Sequence, residues 1–214
     1  RPPSLPVAAY TDFIAPWYVL IALMGALDFR RRTGKGQYID LAMLEASVHL
    51  AAPVVMDYTV NGRIQNRMGN RNPGYAPHGV YPCKGEERWV AIAVATDQEW
   101  QALCKVMGKP EWTKSPKFDT LLHRTENQDE LDDLMGQWTK NYMPEEIMAK
   151  LQAVGVAAGV LQNGEDLVDK DPQMKHRQHL AEMDHPEMGK HLTERPPFLL
   201  SKTPSEPQRP FPSF

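Results

Sequence analysis

One acid in the chain stands where a carboxylate could do covalent work. Asp12 lies in "VAAYTDFIAPWY", directly ahead of Phe13 to Leu27, a run without a single charge. Its local surroundings admit two readings. As the N-cap of a helix, a role open to Thr11 as well, its oxygen accepts a backbone N–H of the first turn. As a nucleophile, it is kept ionised by the helix N-terminus while apolar neighbours exclude competing water. The local pattern alone favours the cap.

Other candidate chemistry is weaker. The histidines are scattered, and His176 and His179 in "HRQH" stand three apart, close enough to share a helix face. No HExxH, paired thiols or carboxylate cluster accompanies them, so a surface location is expected and no metal site. "GNRNPG" and "TGKGQ" carry glycines, but neither continues as a phosphate-binding loop that opens a helix. No G-x-S-x-G is present, and nothing marks Cys83 as an activated thiol. Asp57 and Glu45 read as residues of solvated helix faces. Asp40 alternates away from the apolar residues of "YIDLAML".

The elements that must position these groups follow from periodicity and turn residues. Residues 12 to 31 predict a mostly buried helix, with Pro16 in its first turn and Arg30 to Arg32 at its C-terminal end. "RTGKGQ" predicts a glycine turn, "YIDLAML" a short strand, and "LEASVHLAAPVVMDYTV" a helix broken near Pro53. This order suggests the tail of an α/β layer. From Asn61 to Gly79 the chain becomes a long connector rich in Gly, Asn, Arg and Pro, of the functional or interdomain kind.

Beyond it, "GVYPCKGEERWVAIAVAT" predicts a hairpin about "KGEE". Thr96 or Asp97 then caps a helix that Gly108 and Pro110 end. "ENQDELDDLMGQWTKN" and "MPEEIMAKLQAVG" predict amphipathic helices, with Gly155 as a C-cap. "VAAGVLQ" predicts a strand, "NGEDLVDKDPQMKHR" a capped helix, and "LAEMDHPEMGKHLTERPPFLL" a meander. Residues 75 to 200 thus read as a separate α+β domain.

Composition narrows the function classes. A net charge of −3 in 214 residues argues against nucleic acid or an anionic membrane as the main partner. Two cysteines without a CxxC pair suit a reducing compartment, and a cytoplasmic setting is expected. The uncharged run Phe13 to Leu27 is shorter than the roughly 18 to 20 residues that cross a bilayer, and a buried helix is expected in preference to a signal anchor. Both ends read as cut from a longer protein. Six prolines from Pro196 onward exclude regular structure and imply an extended strap.

The order of motifs says more than any one of them. "YTDFIAPWY" leads into an apolar helix that runs to "ALDFRRRTGKGQYIDLAMLEAS", and "GNRNPGYAPHGVYPCKGEERWVAIAVATDQEW" follows. Over essentially the whole chain this series resembles the class III CoA-transferase family, also called CaiB/BaiF. The family includes formyl-CoA transferases and acyl-CoA racemases.

The resemblance implies an α/β fold: a Rossmann-like large domain built from both ends of the chain, a smaller α+β domain between them, and two subunits interlocked as links. On this chain, residues 1–60 would be a remnant of the large domain and 61–74 a linker with the active-site loop. Residues 75–195 would form the small domain and 196–214 the returning strap. Asp12 matches the family's catalytic aspartate. The glycine-containing loop over the active site corresponds to about Met68 to Gly79, which makes Gly69, Asn70, Gly74, Tyr75 and His78 candidate substrate-binding residues.

The implied substrates are an acyl-CoA thioester and a carboxylic acid acceptor, with no bound cofactor. The implied reaction moves CoA between them through an aspartyl covalent intermediate. A racemase of the same family is the nearest rival. It needs two acid/base groups flanking the α-carbon, usually with a histidine from an upstream region. A non-catalytic fragment that binds CoA weakly is the second rival, because much of the nucleotide site belongs to the upstream half.

Overall fold

The computed structural model describes residues 10–204 together with 206, 207 and 209. The residues before Tyr10, and the last stretch of the expected strap, lie outside the described residues. Helix and sheet are mixed, and the chain divides into two compact units, residues 1–68 and 69–214.

The first unit is helical. α1 (Tyr10–Thr33) carries Asp12 in its first turn and Arg30, Arg31 and Arg32 in its last, opposite charges at the two ends of the helix dipole. Asp28 pairs with Arg31 at 2.6 Å and with Arg32 at 2.8 Å. Because the helix begins at Tyr10, Pro16 falls beyond its first turn, where the expectation had put it. α2 (Met43–Leu50) packs on α1, with Ala46 buried and Tyr18 stacked on His49 at 5.6 Å. The expected break before Pro53 separates α2 from α3 (Ala52–Asn61). α3 ends on Gly62 at φ +67°, whose N–H bonds the Tyr58 carbonyl, a left-handed cap that favours glycine.

Three expectations for this unit are corrected. α1 is not mostly buried: Ile14 and Ala15 are, whereas Phe13, Trp17, Ile21 and Met24 form an exposed stripe at helical spacing. By length and composition alone the segment Thr11–Thr33 could also cross a membrane, a test that buried helices of soluble proteins pass too. "YIDLAML" is not a strand; its residues up to Ala42 are irregular and Met43 opens α2, with Tyr38 90% exposed. A strand needs a neighbour to receive its backbone hydrogen bonds, and no described strand runs beside it. Asp57 is not simply solvated. Asn61 and Gln65 donate to its two oxygens at 2.7 and 3.2 Å, and with Arg63 they hold its carboxyl below the usual range.

The second unit is built on an antiparallel sheet, in the order β1 (His78–Pro82), β2 (Trp89–Ala93), β3 (Ala157–Leu161). The register settles its two faces. Tyr81, Val90 and Ile92 point into a core with Trp100, Leu103, Leu131, Met135, Ile147 and Leu151. The opposite face carries His78, Ala93 and Ala157 in one row and Val80, Ala91 and Gly159 in the next.

The inner face is covered by helices. α6 (Gln128–Thr139) packs on β1, and α7 (Pro144–Gln152) on β2 and β3, while α4 (Asp97–Val106) packs on α7. Thr96 caps α4 through a full capping box: its hydroxyl accepts from Glu99 N at 3.2 Å, and the Glu99 carboxylate accepts from Thr96 N at 3.0 Å. α5 (Leu121–Glu126) precedes α6 and is capped by Thr120.

Two further expectations are refined. "NGEDLVDKDPQMKHR" is not one helix. A π-helical turn, Asp166–Lys170, stops at Asp171, and α8 (Pro172–Arg177) starts afresh. Pro172 biases Asp171 away from helix, and Asp171 becomes the cap of α8, accepting from Met174 N at 2.8 Å. The meander is a two-stranded hairpin, β4 (Leu180–His185) with β5 (Gly189–Glu194); His185 closes its turn by accepting from Glu187 and Met188 N–H.

Candidate functional site

Asp12 is exposed on the first turn of α1 and makes no hydrogen bond or ion pair with any described residue. The helix already includes Tyr10 and Thr11, so Asp12 lies inside it and is not the N-cap. Pro16 follows four residues later and has no N–H, so the Asp12 carbonyl lacks its usual helical donor. Apolar side chains surround the carboxylate. A cleft of about 600 Å³ is lined by Asp12 with Ala15, Pro16, Val19, Leu20, Leu23, Leu41 and Met43. With no partner among the described residues, the Asp12 carboxylate is accessible and bordered by apolar side chains, two features that suit a nucleophile.

The second cluster lies in the other unit, on the loop that enters β1. A cleft of about 610 Å³ covers the outer sheet face and is bordered by Gly69, Asn70, Arg71, Asn72 and His78. Its floor is small and apolar: Val80, Ala91, Ala93, Ala157 and Gly159. Of the expected substrate-binding residues, the structure thus brings Gly69, Asn70 and His78 to one cleft. Gly74 and Tyr75 do not line it. They shape the loop instead, Gly74 N donating to the Asn72 side chain at 2.9 Å and Tyr75 N to the Asn72 carbonyl at 3.1 Å. The Tyr75 ring meets His78 at 5.4 Å.

His78 is oriented by its own loop. Its Nδ1 bonds the Asn70 carbonyl, and a carbonyl can only accept, so the proton sits on Nδ1. In the neutral ring, Nε2 then presents a lone pair.

Two arginines that the sequence did not single out fix this loop. Arg71 reaches across to α6, donating to Asp129 at 2.5 Å and to Asp132 at 3.1 Å. Asp132 also accepts from the Tyr81 hydroxyl at 2.7 Å. Arg124 is fully buried. Its Nε donates to the Ala76 carbonyl at 2.7 Å, its Nη1 to the Phe118 carbonyl at 3.3 Å and its Nη2 to Asp97 at 2.9 Å. The guanidinium also lies 5.1 Å from the centre of the Trp100 ring. The Ala76–Pro77 peptide is cis, and both residues bond Val94 through their backbones. Arg71 sat within the quoted "GNRNPG", whereas "LLHRTENQ" gives no sign that Arg124 turns inward.

Other groups stay outside these clefts. Burial pushes the Cys83 and Cys104 thiols up to about 11, which keeps them protonated and inert at neutral pH. His176 and His179 do not share a helix face, because α8 ends at Arg177 and Gln178 turns left-handed at φ +50°. Among the described residues no group of three or more His, Cys, Asp or Glu is placed to hold a metal ion.

Comparison with known proteins gives these geometries a family. The sequence pattern of CoA-transferase family III matches residues 1–214. The chain is similar to a succinyl-CoA–D-citramalate CoA-transferase of Chloroflexus aurantiacus, 31% identical over 95% of this chain and 50% of that protein. It is also similar to a probable CoA-transferase of Mycobacterium tuberculosis, 32% identical over 95% of this chain and 25% of the other. Among solved structures, a CaiB/BaiF family protein from Brucella suis superposes with a TM-score of 0.82 at 30% identity, covering 96% of this chain and 52% of that one. The chain therefore spans about half or less of the length of these proteins. Its sequence and its fold agree: it belongs to CoA-transferase family III.

Proposed function

We propose that this chain is part of an enzyme that moves CoA between an acyl-CoA thioester and a carboxylic acid, with Asp12 as the nucleophile. The observation that carries the assignment is the Asp12 carboxylate, without a partner among the described residues, on the apolar cleft in the first turn of α1. Its carboxylate attacks the thioester carbonyl and expels CoA as the thiolate, leaving a mixed anhydride. The thiolate then attacks the aspartyl carbonyl, releases the first acid and forms an aspartyl thioester. The incoming carboxylate displaces the thiolate from that thioester, giving a second anhydride. Return of the thiolate to the new acyl carbonyl yields the new acyl-CoA and restores Asp12. Each step exchanges one leaving group, so two accessible stages replace one difficult exchange.

The same reading assigns the exposed stripe of α1 to the interior of a Rossmann-like large domain, not to a membrane or to nucleic acid, in an interlocked cytoplasmic homodimer. The loop from about Met68 to Gly79 lies over the active site and borders the acyl group. No resident cofactor is required; the thioester is substrate.

Trapping tests the nucleophile. Full-length enzyme is incubated with acyl-CoA, quenched with hydroxylamine and mapped by mass spectrometry. A hydroxamate at Asp12 is expected, with turnover in Asp12→Ala falling by about 10³-fold or more. Retained turnover, or a hydroxamate elsewhere, overturns the assignment.

A further inference from the structure

We propose that the cleft on the outer sheet face takes an uncharged hydrocarbon acyl group, so that this cleft prefers monocarboxylic over dicarboxylic acyl thioesters. The inference rests on the reading of the loop from about Met68 to Gly79 as that of the acyl site, and it concerns what that site accepts.

Three features converge on it. The floor is made of alanine, glycine and valine, which leaves room for an alkyl chain and presents no charge. Arg71 is the one lysine or arginine among the residues that line the cleft, and its guanidinium is already held by two carboxylates, Asp129 and Asp132. One positive and two negative charges leave that corner net negative, which repels a second carboxylate instead of receiving it. The His78 ring has its Nδ1 proton committed to the Asn70 carbonyl, so that nitrogen offers nothing to an incoming carboxylate. Beside Arg71, whose two bonds to Asp129 and Asp132 both run through Nη2, the polar side chains at the rim are the uncharged amides of Asn70 and Asn72.

A carboxylate carried in on an acyl chain would therefore lose water without gaining a counter-charge. A methyl group at the same position loses nothing. The difference should exceed about tenfold in affinity.

The test uses two probes that differ at one end only: S-butyryl- and S-succinyl-N-acetylcysteamine. Neither has a nucleotide, so the comparison does not depend on a CoA-binding half. The 15N-labelled 214-residue chain is titrated with each, and amide shifts of Ala91, Ala93 and Ala157 are followed. The expected result is binding of the butyryl probe about tenfold or more tighter than the succinyl probe. In the double variant Asp129→Asn, Asp132→Asn, the amides still accept from Arg71 and Tyr81, but the guanidinium charge is no longer cancelled. There the succinyl probe should come within about threefold of the butyryl probe.

Equal or tighter succinyl binding by the native chain overturns the proposal and leaves the acyl-site reading standing. An unchanged preference in the double variant also overturns it, since charge cancellation at Arg71 would then not be the cause. Shifts at none of the three alanines with either probe remove the acyl-site reading itself.

Discussion

The two units use apolar residues in opposite ways. In residues 69–214 the large side chains turn inward: Trp100, Leu103, Leu131, Met135, Ile147 and Leu151 are at 0% exposure. In residues 1–68 they turn outward, with Trp17 at 64% and Ile21 at 70%. The difference lies in what each segment carries with it. The second unit holds both a sheet and the helices that cover its inner face, so its periodicity is answered within itself. The helices of the first unit answer each other mainly along the contact of α1 with α2, and more sparsely where α2 meets α3. An exposed stripe of this length on a helix marks a surface made to be covered.

The largest effect that separates the units is expected at Trp100. Replacing it by alanine should destabilise the second unit by about 3 to 5 kcal/mol, because the ring leaves a cavity among Trp112, Phe118 and Arg124. Urea denaturation followed by circular dichroism reads the loss. A cost under about 1 kcal/mol would mean that this core is not the one holding the unit together.

A smaller effect, confined to acid, is expected at Asp166. The Arg88 guanidinium, helped by Lys170, holds its carboxyl at about 2. A carboxyl depressed in the folded state stabilises fully above its unfolded value of about 3.9, and that contribution fades as pH falls from there to about 2. Denaturation midpoints measured from pH 5 to pH 2 should therefore fall for the native chain and flatten for Asp166→Asn. A parallel fall in the variant would assign the acid sensitivity to other groups.

The smallest effect is expected at Trp17. In this chain Trp17→Ser should change stability by less than about 0.5 kcal/mol, the range of an exposed position. In the full-length protein, where the proposed large domain covers α1, it should cost as much as truncating a core residue. Equal costs in the two lengths would break the contrast between the units.

The same division explains which parts of the structure were legible in the sequence. The hairpin about "KGEE", a cap at Thr96 or Asp97 and a break near Pro53 all rest on neighbours a few residues away, and each formed, with Thr96 as the cap. "YIDLAML" has a strand's composition but depends on a partner strand that its own residues cannot supply. α1 likewise finds little cover among the described residues, with only Ile14 and Ala15 of its described side chains buried. At the candidate site, Asp12 and the "GNRNPGYAPHG" loop became candidates through the resemblance that the order of motifs carries, since the local pattern at Asp12 favoured a cap. Arg124 could not be found, because an arginine becomes a buried anchor only when a distant carbonyl, here that of Ala76, meets it in the fold.

Those two anchors give the loop unequal ends. At Ala76 it is tied to a charge sealed from solvent, and at Arg71 to carboxylates of which Asp129 is 93% exposed. Dissolved salt screens the second tie and scarcely reaches the first. Ionic strength is thus a dial that slackens one end of the loop while the other stays fixed, like a door that can be unlatched but not taken off its hinge.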